Sequence, residues 1–347
     1  MPAAALSELS DAEIEALVIA CGGKAFQARQ LAHWVYRHGV TAYDACRNLP
    51  AALREALGAR LPLRSTKIAT QVRADDGTQK LLLLLHDGEH VECVLIPEGE
   101  RTTLCVSTQV GCPVACVFCA SGLQGVKRNL STGEIVEQVL HARALSGPER
   151  PLTNLVVMGM GEPMLNLDNL LRALERIHDP EGINLGARRI TVSTSGFPER
   201  IRKLAEAPHA YNLAISLHAA EDALRQRLVP TAKASVRELV AAAAHYFRKK
   251  GREITFEVVL LAGENDRPQD ADAIVAATAG LPCTINLIPW NPVAQIAGLR
   301  RPSEAAVEAF AGRLLQAGLK VTVRRQRGAD RDAACGQLRL HVEEARG

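Results

Sequence analysis

The chain has 347 residues, 47% of them hydrophobic and 23% charged, enough to bury one large α/β domain with a small accessory unit. Aromatic residues make up only 3%, which excludes broad stacking platforms for single-stranded nucleic acid, and a net charge of +3 is too weak to indicate nucleic-acid binding by itself. No apolar run approaches the roughly 18 residues of a membrane span, the N-terminus lacks a signal-peptide core, and the nine cysteines are an odd number. The expected location is therefore cytoplasmic, where clustered thiols serve metals or catalysis rather than structural disulfides.

Residues 1–60 read as a helical accessory unit. Ser10-Asp11 followed by Glu13 marks a helix start, and Phe26, Leu31, Trp34 and Val35 give helical apolar spacing on a segment that also carries Lys24, Arg29, His33 and Arg37. Residues 61–100 read as a small β-hairpin region, with strands at 80–85 and 91–96 flanking the turn Asp87-Gly88. From 101 to 347 short apolar runs alternate with helical patterns. Strands are expected at 104–110, 154–158, 189–193, 212–216, 254–260, 284–288 and 320–324, and helices at 133–145, 168–177, 236–249, 270–279 and 303–316. Such β–α order argues for a parallel sheet, barrel-like or doubly wound, and periodicity does not choose between them. Basic groups at Lys249, Lys250 and Arg252, and at Arg324, Arg325, Arg327 and Arg331, are either solvated faces or RNA contacts.

After the first strand of this run comes Gly111-Cys112-Pro113-Val114-Ala115-Cys116-Val117-Phe118-Cys119, with the spacing C-x3-C-x2-C. Three thiolates on one short loop suit three irons of a 4Fe–4S cube and leave the fourth iron open for a ligand. A structural zinc site needs a fourth protein ligand, and no Cys or His is near in sequence. Three cysteines that merely filled the core would leave the tight loop unexplained.

With an aromatic residue just before its third cysteine, the triplet resembles the hallmark of radical S-adenosylmethionine (SAM) enzymes. Other segments sharpen the resemblance: Cys105 seven residues before the triplet, Met158-Gly159-Met160-Gly161-Glu162-Pro163, Ser193-Thr194-Ser195-Gly196, Ser216-Leu217-His218, Ile288-Pro289-Trp290-Asn291 and Asp332-Ala333-Ala334-Cys335-Gly336. Together, from about Phe26 to Leu338, they resemble the dual-specificity RNA methyltransferases, which methylate carbon 2 of an adenine in 23S rRNA and in certain tRNAs. The resemblance implies a partial (β/α) barrel of radical SAM type with an N-terminal helical accessory domain that contacts RNA. It implies one 4Fe–4S cluster on Cys112, Cys116 and Cys119. SAM would be held by Gly161, Glu162, Ser193, Ser216, Leu217, His218 and Asn291. Two SAM molecules would be used per turnover, one as methyl donor and one as radical source, and an electron donor such as a flavodoxin system would reduce the cluster. Taken singly, each Ser or Asn is as readily a strand-end cap, and His218 a packed core histidine.

Carbon 2 of adenine is a poor nucleophile, so direct attack on a SAM methyl is implausible. The resemblance implies instead that Cys335 accepts a methyl, becomes cross-linked through it to the RNA, and is released by Cys105 with formation of a Cys105–Cys335 disulfide. Glu92 would take the carbon 2 proton. Alone, either cysteine reads as a small buried hydrophobe, and Glu92 as a strand residue facing water. One departure stands out. Ala120-Ser121-Gly122 follows the triplet, and its glycine is closer to the related antibiotic-resistance enzymes that methylate carbon 8, whereas Ile288-Pro289-Trp290-Asn291 and Arg327-Gly328 follow the carbon 2 enzymes. An iron–sulfur or zinc RNA-binding module without catalysis is the rival of another class.

Overall fold

A computed structural model describes residues 5–147 and 149–324. The helices of the N-terminal unit are α1 (Asp11–Ala20), α2 (Ala25–Ala32) and α3 (Ala51–Arg60). Ser10 caps α1 in a reciprocal capping box with Glu13, as its sequence spacing suggests. The strands are β1 (Lys67–Arg73), β2 (Gln79–Leu84), β3 (His90–Glu98), β4 (Arg101–Cys105), β5 (Gln109–Gly111), β6 (Val126–Asn129), β7 (Asn154–Val157), β8 (Ile190–Thr194), β9 (Asn212–Ser216), β10 (Ile254–Leu260), β11 (Cys283–Pro289) and β12 (Lys320–Val323). The remaining helices are α4 (Thr132–Ser146), α5 (Leu167–His178), α6 (Pro198–Ala205), α7 (Asp222–Leu228), α8 (Val236–Lys250), α9 (Pro268–Thr278) and α10 (Glu304–Gln316). Ser131 with Glu134, and Ser235 with Glu238, repeat the capping box at α4 and α8.

Ten strands form one sheet in the order β1-β2-β3-β4-β7-β8-β9-β10-β11-β12. The pairings from β4 to β12 are all parallel, and those from β1 to β4 are antiparallel. Along the parallel part the spatial order follows the chain order. A doubly wound sheet would reverse direction at a switch point; here there is none, so the sheet is an open partial barrel. The strands of the region 61–100 continue this sheet, because β3 pairs with β4.

The expected strand at 104–110 is two strands. After Cys105 the backbone leaves the ladder: Ser107 N–H donates to the Gln138 side chain at 2.8 Å and Thr108 N–H to the Met160 carbonyl at 2.9 Å. Gln109–Gly111 then pairs antiparallel with β6 in a separate two-stranded ribbon. An apolar run carries no mark of the point at which its partner changes.

The outer face of the sheet is apolar. Leu81, Leu83, Val91, Cys93, Leu104, Leu155, Val192, Leu213, Phe256, Val258, Ile285 and Leu287 all join the main core. The N-terminal unit is fixed to the barrel through α4 and α5. Buried Glu137 on α4 accepts hydrogen bonds from Ser7, Ser65 and Thr66, and Arg176 on α5 pairs with Asp11 and stacks over Tyr36 at 4.7 Å. Among the described residues no helix is long and apolar enough to cross a membrane.

Candidate active site

The strand register fixes what the inner face carries. Lys80 and Cys105 each pair with Val94, two residues from Glu92, and Cys105 pairs in turn with Val156. Thr191 on β8 is level with Val156, so Ser193 follows on the same face. Ser193 is level with Ala214, which puts Ser216 there too, and Ser216 is level with Glu257 and Asn286. Because side chains alternate along a strand, Glu92, Cys105, Ser193, Ser216 and Glu257 all project from one face.

At the C-terminal ends of these strands lies a cavity of about 220 Å³. Its lining includes Cys112, Cys116 and Cys119, then Met158, Gly159, Gly161, Glu162 and Pro163 of the turn after β7, and Ser193, Thr194, Ser195, Ser216, His218 and Glu257. The three cysteines stand on the loop between β5 and β6, whose ends are joined by Cys112 N–H donating to the Gly125 carbonyl at 2.9 Å. Trp290, just past β11, holds the loop from the far side by donating Nε1–H to the Phe118 carbonyl at 2.9 Å. Gly122 closes it: a Cβ there would lie 2.9 Å from Ala115 Cα, so the glycine of the Ala120-Ser121-Gly122 departure is a packing demand of the loop.

Glu162 is 2% exposed and both its oxygens are engaged within the protein. Oε1 accepts from Met164 N–H at 3.0 Å and Thr194 Oγ1 at 2.8 Å, and Oε2 from Ser195 N–H and Ser195 Oγ, each at 2.7 Å. Burial raises its pKa and these four bonds oppose the rise. The carboxylate thus ties the turn after β7 to the turn after β8. Gly161, at φ +103°, lets the backbone pass where a Cβ would meet Gln109 at 2.7 Å.

His218 also lines the cavity, at φ +60°, an uncommon conformation for a residue other than glycine. Its Nδ1 accepts from Val259 N–H at 3.2 Å, which assigns the proton to Nε2. Burial, helped by the Arg225 charge, lowers its pKa to about 3, so it is a neutral donor. Leu217 and Asn291 are placed differently from Ser193 and Ser216. The Leu217 side chain is fully buried in the main core, and Asn291 Oδ1 accepts from Arg301 Nη1 at 2.5 Å; neither lines the cavity.

Glu92 and Cys105 lie to one side of the cavity, over β3 and β4. Glu92 is 1% exposed, with Lys80 Nζ 3.4 Å from its carboxylate. Its backbone carbonyl accepts from Ser107 Oγ at 2.6 Å, and that hydroxyl accepts from Met160 N–H at 2.9 Å, so the Glu92 strand is braced against the turn after β7. Cys335 lies outside the described residues, eleven positions beyond Arg324, which lines the cavity. Two lining residues were not expected from sequence. Glu257 accepts from Asn286 Nδ2 at 2.7 Å, and its one signal is an acid within an otherwise apolar strand. Ser121 has its Oγ enclosed without a hydrogen-bond partner among the described residues.

Two family models match the chain: the radical SAM superfamily over residues 106–273, and the ribosomal RNA large subunit methyltransferase N-terminal domain over residues 4–62. The probable dual-specificity RNA methyltransferase RlmN of Rhodopirellula baltica is 43% identical over 94% of this chain and 88% of its own length. The dual-specificity RNA methyltransferase RlmN of Marinobacter nauticus is 42% identical over 96% of this chain and 92% of its own. The chain belongs to the RlmN family of dual-specificity RNA methyltransferases. A crystal structure of a radical SAM methyltransferase from Sphaerobacter thermophilus, 45% identical, matches this RlmN-family fold with a TM-score of 0.93 over 96% of this chain and 99% of that one.

Membership of the radical SAM superfamily implies a 4Fe–4S cluster and SAM. The residues present fit both. Three thiols from one short loop face one cavity, the donor set that caps three irons of a 4Fe–4S cube. Burial pushes the Cys112 thiol up to about 11 and raises Cys116 as well, so both are neutral until a metal displaces their protons. The enclosed Ser121 hydroxyl is a polar group in want of a partner at the same wall.

Proposed function

We propose that this RlmN-family enzyme methylates carbon 2 of an adenine in 23S rRNA and in tRNA, by way of a methyl group carried on Cys335. The observation that carries the reading is the register: Glu92, Cys105, Ser193 and Ser216 share one face, and the cavity lined by the cysteine triplet opens at its end. Cys112, Cys116 and Cys119 hold the cluster. The backbone at Gly161 and Glu162, with Ser193, Ser216 and the Nε2–H of His218, receives SAM. Asn291 contributes on release from Arg301, and Leu217 through its main chain. The cluster and SAM, when bound, supply the methyl group and a radical that removes a hydrogen atom from it, one SAM serving each purpose, after reduction by a donor such as a flavodoxin system.

The protein's own residues do the rest. As a thiolate, Cys335 accepts the methyl. Eleven extended residues reach at most about 40 Å, ample to bring Cys335 from Arg324 over the inner face. After hydrogen loss, the carbon on Cys335 bonds to carbon 2. Once the adduct has given up one electron, which the oxidised cluster would accept, Glu92 takes the carbon 2 proton. The Cys105 thiolate then attacks Sγ of Cys335, the carbon leaves with a returning proton as a methyl group, and a disulfide remains. Residues 1–60 act as the RNA-contacting accessory domain, 61–100 as the region that presents Glu92, and 101–347 as the catalytic domain.

The test is mass spectrometry of nucleosides from 23S rRNA and tRNA transcripts incubated with the reduced enzyme and SAM. The expected product is 2-methyladenosine. The 8-methyl isomer would make this a carbon 8 enzyme, although the packing demand on Gly122 removes the sequence feature that pointed that way. RNA bound with SAM intact would leave a binding module.

A further inference from the structure

Arg225 on α7 is 1% exposed, among the most completely buried large side chains of the protein. Its Nη2 donates to the Ser195 carbonyl, its Nε is enclosed without an acceptor, and it forms no ion pair with any described residue. A guanidinium taken out of water is costly unless an opposite charge compensates it, and buried charges are paired as a rule. The groups around it belong to the cofactor cavity. Ser195 lines that cavity and bonds Glu162, and α7 meets the cysteine loop directly: the Leu228 carbonyl accepts from Val117 N–H, next to Cys116, at 3.1 Å, and Leu224 and Leu228 share a buried cluster with Val114 and Phe118 against which Cys116 packs. Asp222, the nearest acid of its own helix, is engaged by Val236 N–H at 2.7 Å.

We propose that Arg225 is the buried counter-charge of the iron–sulfur cluster, placed behind Cys116, and that it raises the cluster's reduction potential. The inference rests on the assignment of Cys112, Cys116 and Cys119 as cluster ligands. Three thiolates make the clustered assembly an anion, and reduction adds one more negative charge. A fixed cation beside a ligand sulfur therefore favours the reduced form, net charge being one of the determinants of iron–sulfur potentials. Arg225 is thus a positioning and electrostatic residue rather than one that touches substrate. It leaves the protein without the cluster carrying an uncompensated charge.

The experiment compares wild type, Arg225→Met and Arg225→Lys after anaerobic reconstitution, by iron content, by redox titration followed through the spectrum of the reduced cluster without and with SAM, and by thermal unfolding of the cluster-free proteins. Arg225→Met should hold a cluster whose reduced-to-oxidised ratio at a fixed potential falls about tenfold, a 59 mV shift for a one-electron couple. Arg225→Lys should recover most of that loss. Cluster-free Arg225→Met should unfold no earlier than cluster-free wild type, because the unpaired buried charge is gone. An unchanged potential with a full cluster would overturn the proposal, as would an effect seen only as weaker SAM binding. So would a cluster-free Arg225→Met that unfolds earlier or fails to fold, which would make the residue a structural clamp on Ser195. A wild-type protein that takes up no iron would instead remove the ligand assignment on which the proposal stands.

Discussion

Glu162→Gln is a nearly isosteric change whose cost follows from the hydrogen-bond inventory. Each carboxylate oxygen accepts one backbone N–H, from Met164 on Oε1 and from Ser195 on Oε2, and one hydroxyl. The two hydroxyls can rotate and accept from an amide NH2, but the two backbone N–H groups cannot. Whichever way the glutamine turns, one buried N–H faces another donor. Leaving such a group unsatisfied costs about 1–3 kcal/mol. Losing the charge offsets part of that cost, because burial outweighs the four bonds and raises this carboxyl's pKa. At roughly 2–4 °C per kcal/mol, the midpoint of thermal unfolding of the cluster-free protein, followed by circular dichroism, should fall by up to roughly 12 °C. Ser195→Ala removes one hydroxyl donor and leaves the carboxylate three, so its cost should be smaller, about 1 kcal/mol. A wild-type midpoint for Glu162→Gln, or a larger loss for Ser195→Ala, would refute the view that this carboxylate joins the two turns.

His218 gives a pH signature. Its folded pKa of about 3 lies below the unfolded value of 6.5, so as pH falls between them the unfolded chain binds a proton that the folded protein refuses. The stability held above pH 6.5 is lost on acidification by up to about 1.4 kcal/mol per pH unit. His218→Asn, which tolerates positive φ and keeps an acceptor for Val259 N–H, should flatten that decline; parallel curves from pH 7 to 5 would contradict the assignment. Gly122→Ala should displace the triplet loop, since its Cβ would meet backbone at 2.9 Å. Iron content after reconstitution should then drop well below the about four irons of a full cluster, and a full complement would show that the loop relaxes freely.

Much of the barrel is legible in the sequence because its strands are buried and its helices amphipathic. Asn212–Ser216 and Ile254–Leu260 fall where the apolar runs place them, and Ser10, Ser131 and Ser235 announce helices through the glutamate three residues on. The misplaced end of the strand at 104–110 has a different origin: Val110 is as buried as Val106 but pairs in another sheet, and period-two burial reads the same in either. The side chains that line the cavity follow motif positions where the motif marks a strand end, as at Ser193 and Ser216. Sequence could not separate Leu217 from its neighbours, because adjacent residues at a strand end point to opposite faces. Nor could it foresee that Glu162 spends both oxygens on Thr194, Ser195 and Met164, a partnership between turns more than 30 residues apart.

The central claim is that Cys335 carries the methyl to RNA and that Cys105, on the inner face beside Glu92, releases it. Denaturing gel electrophoresis with mass spectrometry of each variant purified with RNA present tests it most directly. Cys105→Ala should accumulate a covalent protein–RNA adduct through Cys335, and Cys335→Ala should give none. Normal turnover by Cys105→Ala, or the same adduct from Cys335→Ala, would contradict the account.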